Sequence, residues 1–499
     1  MPSVFGFSLA TENTEKKKSS RYANVARTSA RRREAMRKDR ASRLVLLVGL
    51  TVGAFLAGAI TTKAAEGAAL PQSAAKTEAE RTAWYRAAKF GMFIHWGAYS
   101  VASVEASWPI MEPNIAWHIT EPEYVLLYKR FNPTEYSPEA WVDLARQAGQ
   151  RYMVITTKHH DGFCMFDSAL TDYKITSTPY GKDVIAMLAE AAREVGMPLG
   201  FYYSPPDMHH PGYRDTSKLV KDTWHGDASR PEWATYLNYM EGQLRELLTN
   251  YGPVALVWFD GLDRLERYQG QRFINLIHEL RPAALVNNRI GVDGDFVTPE
   301  QEIPDRIPTK GAAGNPQAAS QPQAAAPTAV PPPEDFQLWE TCMTINDTWA
   351  YNKNDQHFKS VQTLIQDLAN VASKGGNFLL DVGPTPEGTV QPEFVERLQA
   401  MGKWMKVNGD SIYGTTYGPW QNLPFGKSTA KGKTIYLHVF EWPSKPALEV
   451  PALRSRVSRI TVLATGRKIH FKQKKDRLLI SVPPTAPDQN DSVLQIATR

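Results

Sequence analysis

Short apolar runs alternate with amphipathic stretches of helical period from about residue 80 to residue 415, and this alternation restricts the fold more than any other feature. Strands separated by helices return to one sheet as parallel βα units. The runs expected as strands are Phe90–Trp96, Tyr152–Thr157, Leu199–Tyr203, Ala255–Phe259, Ala284–Asn287, Phe336–Trp339 and Asn377–Val382. The expected helices between them are Pro138–Ala148, Asp183–Val195, Pro231–Asn250, Gln271–Leu280 and Phe358–Ala372. In the second of these, Val184, Met187, Leu188 and Ala191 share one face. No Gly-rich phosphate loop follows the first strand. The pattern therefore fits an α/β (β/α)8-like TIM barrel, not necessarily a regular one, better than an open doubly wound sheet.

From about Thr415 the period changes to short Val-, Ile- and Leu-rich runs at Thr434–Phe440, Arg459–Leu463, Lys468–Phe471 and Leu478–Val482, separated by turns. These suit a small C-terminal β-sandwich. Lys310–Pro333 is low in complexity and cannot bury a core, so it reads as a surface loop inserted in the barrel. The expected division is a basic leader over 1–64, a linker over 65–80, the barrel over 81–414 with its insertion at 310–333, and the sandwich over 415–499. Only Cys164 and Cys342 occur, far apart, so the barrel must hold on its core without a disulfide framework.

The formal net charge is +5, but residues 1–64 hold 13 Lys and Arg against 4 Asp and Glu, which leaves the rest of the chain net negative. A mildly acidic folded part lacks the electrostatic footprint of a nucleic-acid binder. The apolar run Leu44–Ile60 follows Arg37, Lys38, Arg40 and Arg43 and precedes Thr62-Lys63-Ala64, a small-x-small cleavage pattern. A spanning helix needs about 20 apolar residues, and this run is shorter and rich in Gly and Ala. A signal peptide is expected, giving a secreted or periplasmic protein with no stable membrane span after cleavage; an uncleaved anchor is the alternative. A start at Met36 gives the leader ordinary proportions.

Polar and aromatic residues collect where the expected strands end: His95-Trp96, Lys158-His159-His160-Asp161, Tyr202-Tyr203, Trp258 with Asp260, and Asn288-Arg289. Each has a plain structural reading, as a turn cap, a buried histidine or a core aromatic. Their convergence on one barrel rim, where the loops of all strands meet, favours a site. Carboxylates beside aromatics, His and Arg suit a sugar, whose rings present apolar faces and hydroxyls. Carboxyl groups about 5–5.5 Å apart give a covalent glycosyl-enzyme and retention, whereas separations above about 6.5 Å give inversion.

The segments KFGMFIHWGAYSV (89–101), TTKHHDGFCMF (156–166), GFYYSP (200–205), VWFDG (257–261), NNRIG with GDFVTPEQ (287–291 and 294–301) and GGNFLLDVGPTPEG (375–388) resemble, in order, the motif series of the α-L-fucosidases of glycoside hydrolase family 29. The resemblance covers about residues 80–415 and implies an exo-acting retaining enzyme that releases terminal α-L-fucose from a fucosylated oligosaccharide or glycoconjugate, without a metal or other cofactor. It places the nucleophile on Asp260 and the acid/base on Glu300, with Asp263 and Glu302 as their competitors. It assigns fucose binding to His95, Trp96, Trp108, His159, His160, Tyr202, Trp258, Arg289 and Trp339. His159 and His160 are consecutive, and both reach one ligand only if their strand has already ended. Many family members carry a Glu-Trp pair where this chain has Ser107-Trp108, so Glu105 would have to reach in from elsewhere. The stretch Trp339–Thr344 resembles the subgroup acting on branched α-1,3/1,4-linked fucose.

Two readings from other classes use the same residues. His95, His159, His160 and Asp260 would serve a metal-dependent barrel hydrolase, although the first strand ends in His95-Trp96-Gly97 and not in the H-x-H of the amidohydrolase type. A fucose-binding protein without turnover is the other. The sequence sets no oligomeric state.

Overall fold

The structure, a computed structural model, describes residues 77–113, 117–310, 335–420 and 423–499. The expected leader at Leu44–Ile60 and nearly all of the insertion lie outside the described residues. The described chain starts with helix α1 (Glu78–Ala88), whose N-cap Thr77 forms a capping box with Glu80. Left-handed Lys89 ends α1 and turns the chain into the sheet.

Seven parallel strands follow: β1 (Phe90–Ile94), β2 (Met153–Lys158), β3 (Leu199–Tyr203), β4 (Leu256–Phe259), β5 (Leu285–Val286), β6 (Glu340–Thr344) and β7 (Asn377–Val382). They lie in the order β5-β4-β3-β2-β1-β7-β6. Every residue in them is buried, as a sheet covered on both faces requires. Alternation divides them between two cores. Phe93, Tyr152, Val154, Tyr202, Leu256, Trp258, Leu285, Cys342 and Leu379 fill the barrel interior. Their neighbours, such as Met92, Ile155, Phe201, Val257 and Leu380, pack outward into the helix layer. That layer includes α2 (Pro138–Ala148), α3 (Val184–Glu194), α4 (Trp233–Asn250), α5 (Gly270–Leu280), α6 (Val361–Ser373) and α7 (Pro392–Asn408). Ser137, Asp183 and Ser360 cap α2, α3 and α6 by accepting backbone N–H bonds.

The sheet does not close by strands alone. Between β5 and β6, residues 296–300 form parallel bridges to both sides: Phe296 with Asn287, Val297 with Trp339, and Glu300 with Cys342. The backbone bonds Val297 N–H to Leu338 O, Glu340 N–H to Val297 O and Gln301 N–H to Cys342 O, each 2.9 Å, fix this segment in the eighth position. The barrel is thus irregular where it closes. Beyond it, Thr309 bridges Phe336 in antiparallel sense and Lys310 N–H donates to Asp335 O at 2.6 Å, so the two ends of the insertion meet in a stem.

The sixth strand differs from its expected position. The apolar run Phe336–Trp339 precedes β6, which is Glu340–Thr344. Its polar residues are buried because their partners lie inside the barrel, where Glu340 accepts from Tyr85 Oη and Trp258 Nε1. A pattern rule that seeks apolar side chains passes over such a strand.

The C-terminal part packs a five-stranded antiparallel sheet against a three-stranded one. The first has the order β12-β15-β10-β9-β8 and the second β11-β14-β13, from β8 (Thr416–Tyr417), β9 (Gly426–Lys431), β10 (Thr434–Val439), β11 (Ala447–Pro451), β12 (Val457–Val462), β13 (Phe471–Gln473), β14 (Arg477–Ser481) and β15 (Ser492–Thr498). Leu437, Ile460, Leu478, Ile480, Leu494 and Ile496 form its core. Trp404 of α7 is buried against it and donates from Nε1 to Asp491 O at 2.9 Å, and the Asp491 carboxylate holds His438 Nδ1 at 2.7 Å. Trp404→Ala empties this contact and is expected to cost about 3–5 kcal/mol. Urea unfolding measures it, and an unchanged midpoint would show that barrel and sandwich do not support each other.

Candidate active site

The site forms at the C-terminal ends of the strands, where each side chain is placed by the strand that carries it. Asp260 follows the last residue of β4, and its backbone N–H bonds Tyr203 O on β3 at 3.2 Å. The next residue, Gly261, lies so close to Arg289 O that a Cβ there would stand 2.4 Å away, and its own N–H bonds that oxygen at 2.9 Å. Glycine at this point lets the β4 and β5 loops touch and brings Arg289 alongside Asp260.

Arg289 is fixed by its own fork. Nε donates to Thr298 Oγ1 and Nη2 to Thr298 O, both at 2.8 Å. Nη1 then donates to Asp260 Oδ1 at 3.0 Å and to Glu300 Oε2 at 2.8 Å. Thr298, Glu300 and the bridge from Glu300 to Cys342 belong to the extended segment that closes the barrel. The closure thereby sets the distance between the two carboxylates.

Asp260 Oδ2 accepts from the Tyr202 hydroxyl at 2.8 Å and lies 3.5 Å from His160 Nε2. Burial pushes the Asp260 carboxyl up, but Arg289, His160 and the hydrogen bond from Tyr202 outweigh it, and the net direction is down from the usual carboxylate value. The group is held ionised. Asp260 is more sheltered than Glu300, whose side chain is 43% exposed against 16%.

The two histidines reach this point because β2 ends at Lys158, after a register shift against β3 between Thr156 and Lys158. Their ring centroids are 4.2 Å apart, and the His159 ring lies parallel to Tyr202 at 5.4 Å. His159 Nδ1 is 2.6 Å from Ser107 Oγ, and His160 Nδ1 is 2.6 Å from Ser204 Oγ. Burial lowers His160 to about 4 and takes His159 well below its ordinary value, so both are neutral rings near pH 7. His95 behaves otherwise. Burial lowers it, but Asp381 at 2.7 Å from Nδ1 more than offsets this, and the net direction is up.

Trp258 presents its ring beneath this group, with Arg289 Cζ 4.8 Å over it and the Tyr202 ring stacked at 5.7 Å. Trp108, half-buried, stands edge-on to His160 at 6.4 Å. Glu105 does reach in: it is buried and raises the pKa of His95. Its oxygens, however, accept backbone N–H bonds from Ala106, Trp349 and Ala350. Ser107 takes a supporting part, bonding His159 and the Asp161 N–H.

Two expected sugar-binding residues lie elsewhere. Trp96 is fully buried among Phe131, Tyr136 and Trp141, with Nε1 bonded to Thr385 O, so it faces the helix layer. Trp339 precedes the first residue of β6, at the opposite end of the barrel from the rim, and bonds Lys374 O. A Cβ on Gly376 would stand 2.4 Å from its ring. Both are core aromatics. Trp349, whose ring lies 5.0 Å from His95, and Asp381 were not expected at the site. Asp381 has a signal in the GGNFLLDVGPTPEG segment, as an acid near the end of an apolar strand; Trp349 has none.

Among the described residues, His159, His160 and Asp260 offer ligand atoms within 4.8 Å of one another. The Arg289 guanidinium already sits against Asp260, where a cation would have to compete with it. The arrangement suits a neutral ligand with hydroxyl groups better than a metal ion.

Comparison with known proteins shows the family. The family model described as Alpha-L-fucosidase matches residues 57–410, and that described as Alpha-L-fucosidase C-terminal domain matches 423–497. The chain is 28% identical to the tissue alpha-L-fucosidase of Homo sapiens over 448 residues, covering 81% of this chain and 86% of that protein. Alpha-L-fucosidase isoenzyme 1 from Paenibacillus thiaminolyticus superposes with a TM-score of 0.74 at 33% identity, over 85% of this chain and 99% of that one. A GH29 enzyme from Bacteroides thetaiotaomicron, trapped as a covalent intermediate with 2-fluoro-fucosyl fluoride, gives 0.70 at 26%, over 86% and 98%. This chain belongs to the α-L-fucosidase family, glycoside hydrolase family 29.

Proposed function

We propose that the protein removes terminal α-L-fucose from glycans with retention, Asp260 acting as nucleophile and Glu300 as acid/base. One observation carries this reading: Arg289 Nη1 touches both carboxylates, which limits the separation of the bonded oxygens to about 6 Å, below the range above about 6.5 Å that an inverting water needs. Asp260, ionised and sheltered, attacks the anomeric carbon. Glu300, the more exposed, gives its proton to the leaving oxygen and then takes one from the water that frees the sugar.

The competitors stand in different surroundings. Asp263 is paired with His225 at 2.8 Å, and Glu302 is an exposed residue on the far side of Gln301. His95, His159, His160, Tyr202 and Arg289 supply donors and acceptors for the ring hydroxyls, and Trp258 supplies an apolar face for the C5 methyl. Trp108 stands at the edge of this pocket. We further propose that the chain is exported and cleaved near Ala64. No helix among the described residues is long and apolar enough to cross a membrane. N-terminal sequencing of the exported protein tests this, and a retained residue 44–60 segment rejects it.

The mature protein is expected to release 4-nitrophenol from its α-L-fucoside. Asp260→Gly should abolish turnover, and Glu300→Ala should lower it about 10²–10⁴-fold; azide should restore release of 4-nitrophenol in either, giving fucosyl azide of inverted configuration in Asp260→Gly and of retained configuration in Glu300→Ala. Unchanged rates in both variants reject the roles. NMR of the first-formed sugar should show the α anomer. A panel of branched and unbranched fucosylated glycans reads the linkage that Trp339–Thr344 suggests.

The pH profile gives a second test. Tyr202→Phe removes a hydrogen bond to the ionised Asp260, so the Asp260 pKa must rise and the acid limb of kcat/KM must move to higher pH. A limb that stays in place or moves down counts against Asp260 as the titrating nucleophile.

A further inference from the structure

Glu340 has no part in the mechanism above, yet it is a carboxyl group with no exposure, aimed into the barrel from the first position of β6. Three donors converge on it. The Tyr85 hydroxyl donates to Oε2 at 2.8 Å, the Tyr152 hydroxyl donates to the same oxygen, and Trp258 Nε1 donates to Oε1 at 3.0 Å. Burying a carboxyl carries a desolvation penalty that an apolar residue of the same volume avoids. A core that needed only filling gains nothing from it.

What the carboxyl does gain is the direction of one indole. A buried indole N–H takes a partner, and this one is held by Glu340 Oε1, which restricts the plane in which the ring can lie. The ring in turn contacts three groups. Phe93 lies 5.2 Å away, Tyr202 is stacked at 5.7 Å with 14° between planes, and Arg289 Cζ lies 4.8 Å over it. Tyr202 and Arg289 are the two residues that donate to Asp260.

We propose that Glu340 is a positioning residue for fucoside hydrolysis, fixing the plane of Trp258 and through it the seats of Tyr202 and Arg289 against Asp260. This inference rests on the fucosidase reading for its kinetic arm. Burial pushes Glu340 up to about 7, with the three donors opposing, so the cluster has little electrostatic reserve. Glu340→Gln keeps shape and volume but replaces one acceptor oxygen with a donor nitrogen, so that either Trp258 or both tyrosines lose their acceptor.

Glu340→Gln is expected to lower kcat/KM on 4-nitrophenyl α-L-fucoside about 10–100-fold, with KM rising together with the Kd for L-fucose, as displacement of a binding platform by a fraction of an ångström requires. In a Trp258→Phe background, where the N–H is already gone, the same change should add little, because the two residues act as one unit. Additive losses, or a lowered Tm with kcat/KM unchanged, overturn the proposal. If Glu340→Gln does not fold, Tyr152→Phe, which loosens the same carboxyl, should move kcat/KM in the same direction, and no movement overturns it. Absence of fucoside turnover in the wild type rejects the fucosidase reading instead. The Trp258 indole N–H resonance, assigned from its loss in Trp258→Phe, then decides: it should shift in Glu340→Gln, and an unshifted resonance rejects the contact.

Discussion

The site depends on one guanidinium. Arg289 lies between two carboxylates that would repel each other if both were ionised in a sheltered cleft, and it bonds both from one nitrogen while Thr298 holds the rest of its fork. A planar, permanently charged group suits this better than a lysine, whose point charge would leave the spacing of the pair free. Asp260 stays ionised despite its burial because of this neighbour first, with His160 and Tyr202 adding to it. The Gly261 contact that brings the β4 and β5 loops together therefore helps to place this guanidinium beside Asp260.

Around this centre the barrel supplies two kinds of support. Serine hydroxyls orient the histidines, with Ser107 on His159 and Ser204 on His160, so the ring nitrogens that remain point inward as neutral groups. Asp381 does the opposite for His95 and favours its charged form. Three histidines on one rim thus carry different protonation tendencies, burial disfavouring the charged form of His159 and His160 while Asp381 favours that of His95. A ligand with several hydroxyls meets donors and acceptors whose roles are decided before it arrives.

Much of this was legible from the residues. The βα alternation located most barrel strands because parallel strands buried on both faces are largely apolar, as in Met153–Ile155 and Leu199–Tyr203. The His159-His160 pair demanded an early end to β2, and the strand does end there. The sixth strand was missed because Glu340-Thr341-Cys342-Met343-Thr344 is largely polar in sequence, and its Glu340 is buried against tyrosines that lie about 190 or more positions away. Trp96 and Trp339 were misplaced for the converse reason, since an aromatic beside a site and an aromatic beneath it look alike in a string of letters. Contacts made through backbone, such as those of Glu105 with Trp349 and Ala350, leave no residue signature at all.

The stem at Thr309–Phe336 has a consequence for how this chain tolerates change. Because Lys310 and Asp335 are already bonded, the barrel registers that these two ends are joined but not how many residues lie between them. Doubling such an excursion adds only about 0.6 kcal/mol of closure entropy. The number of residues between Lys310 and Asp335 is therefore uncoupled from the segment at Glu300, which stays bonded to β6 through Cys342, so length can change on one side of the stem without moving the other.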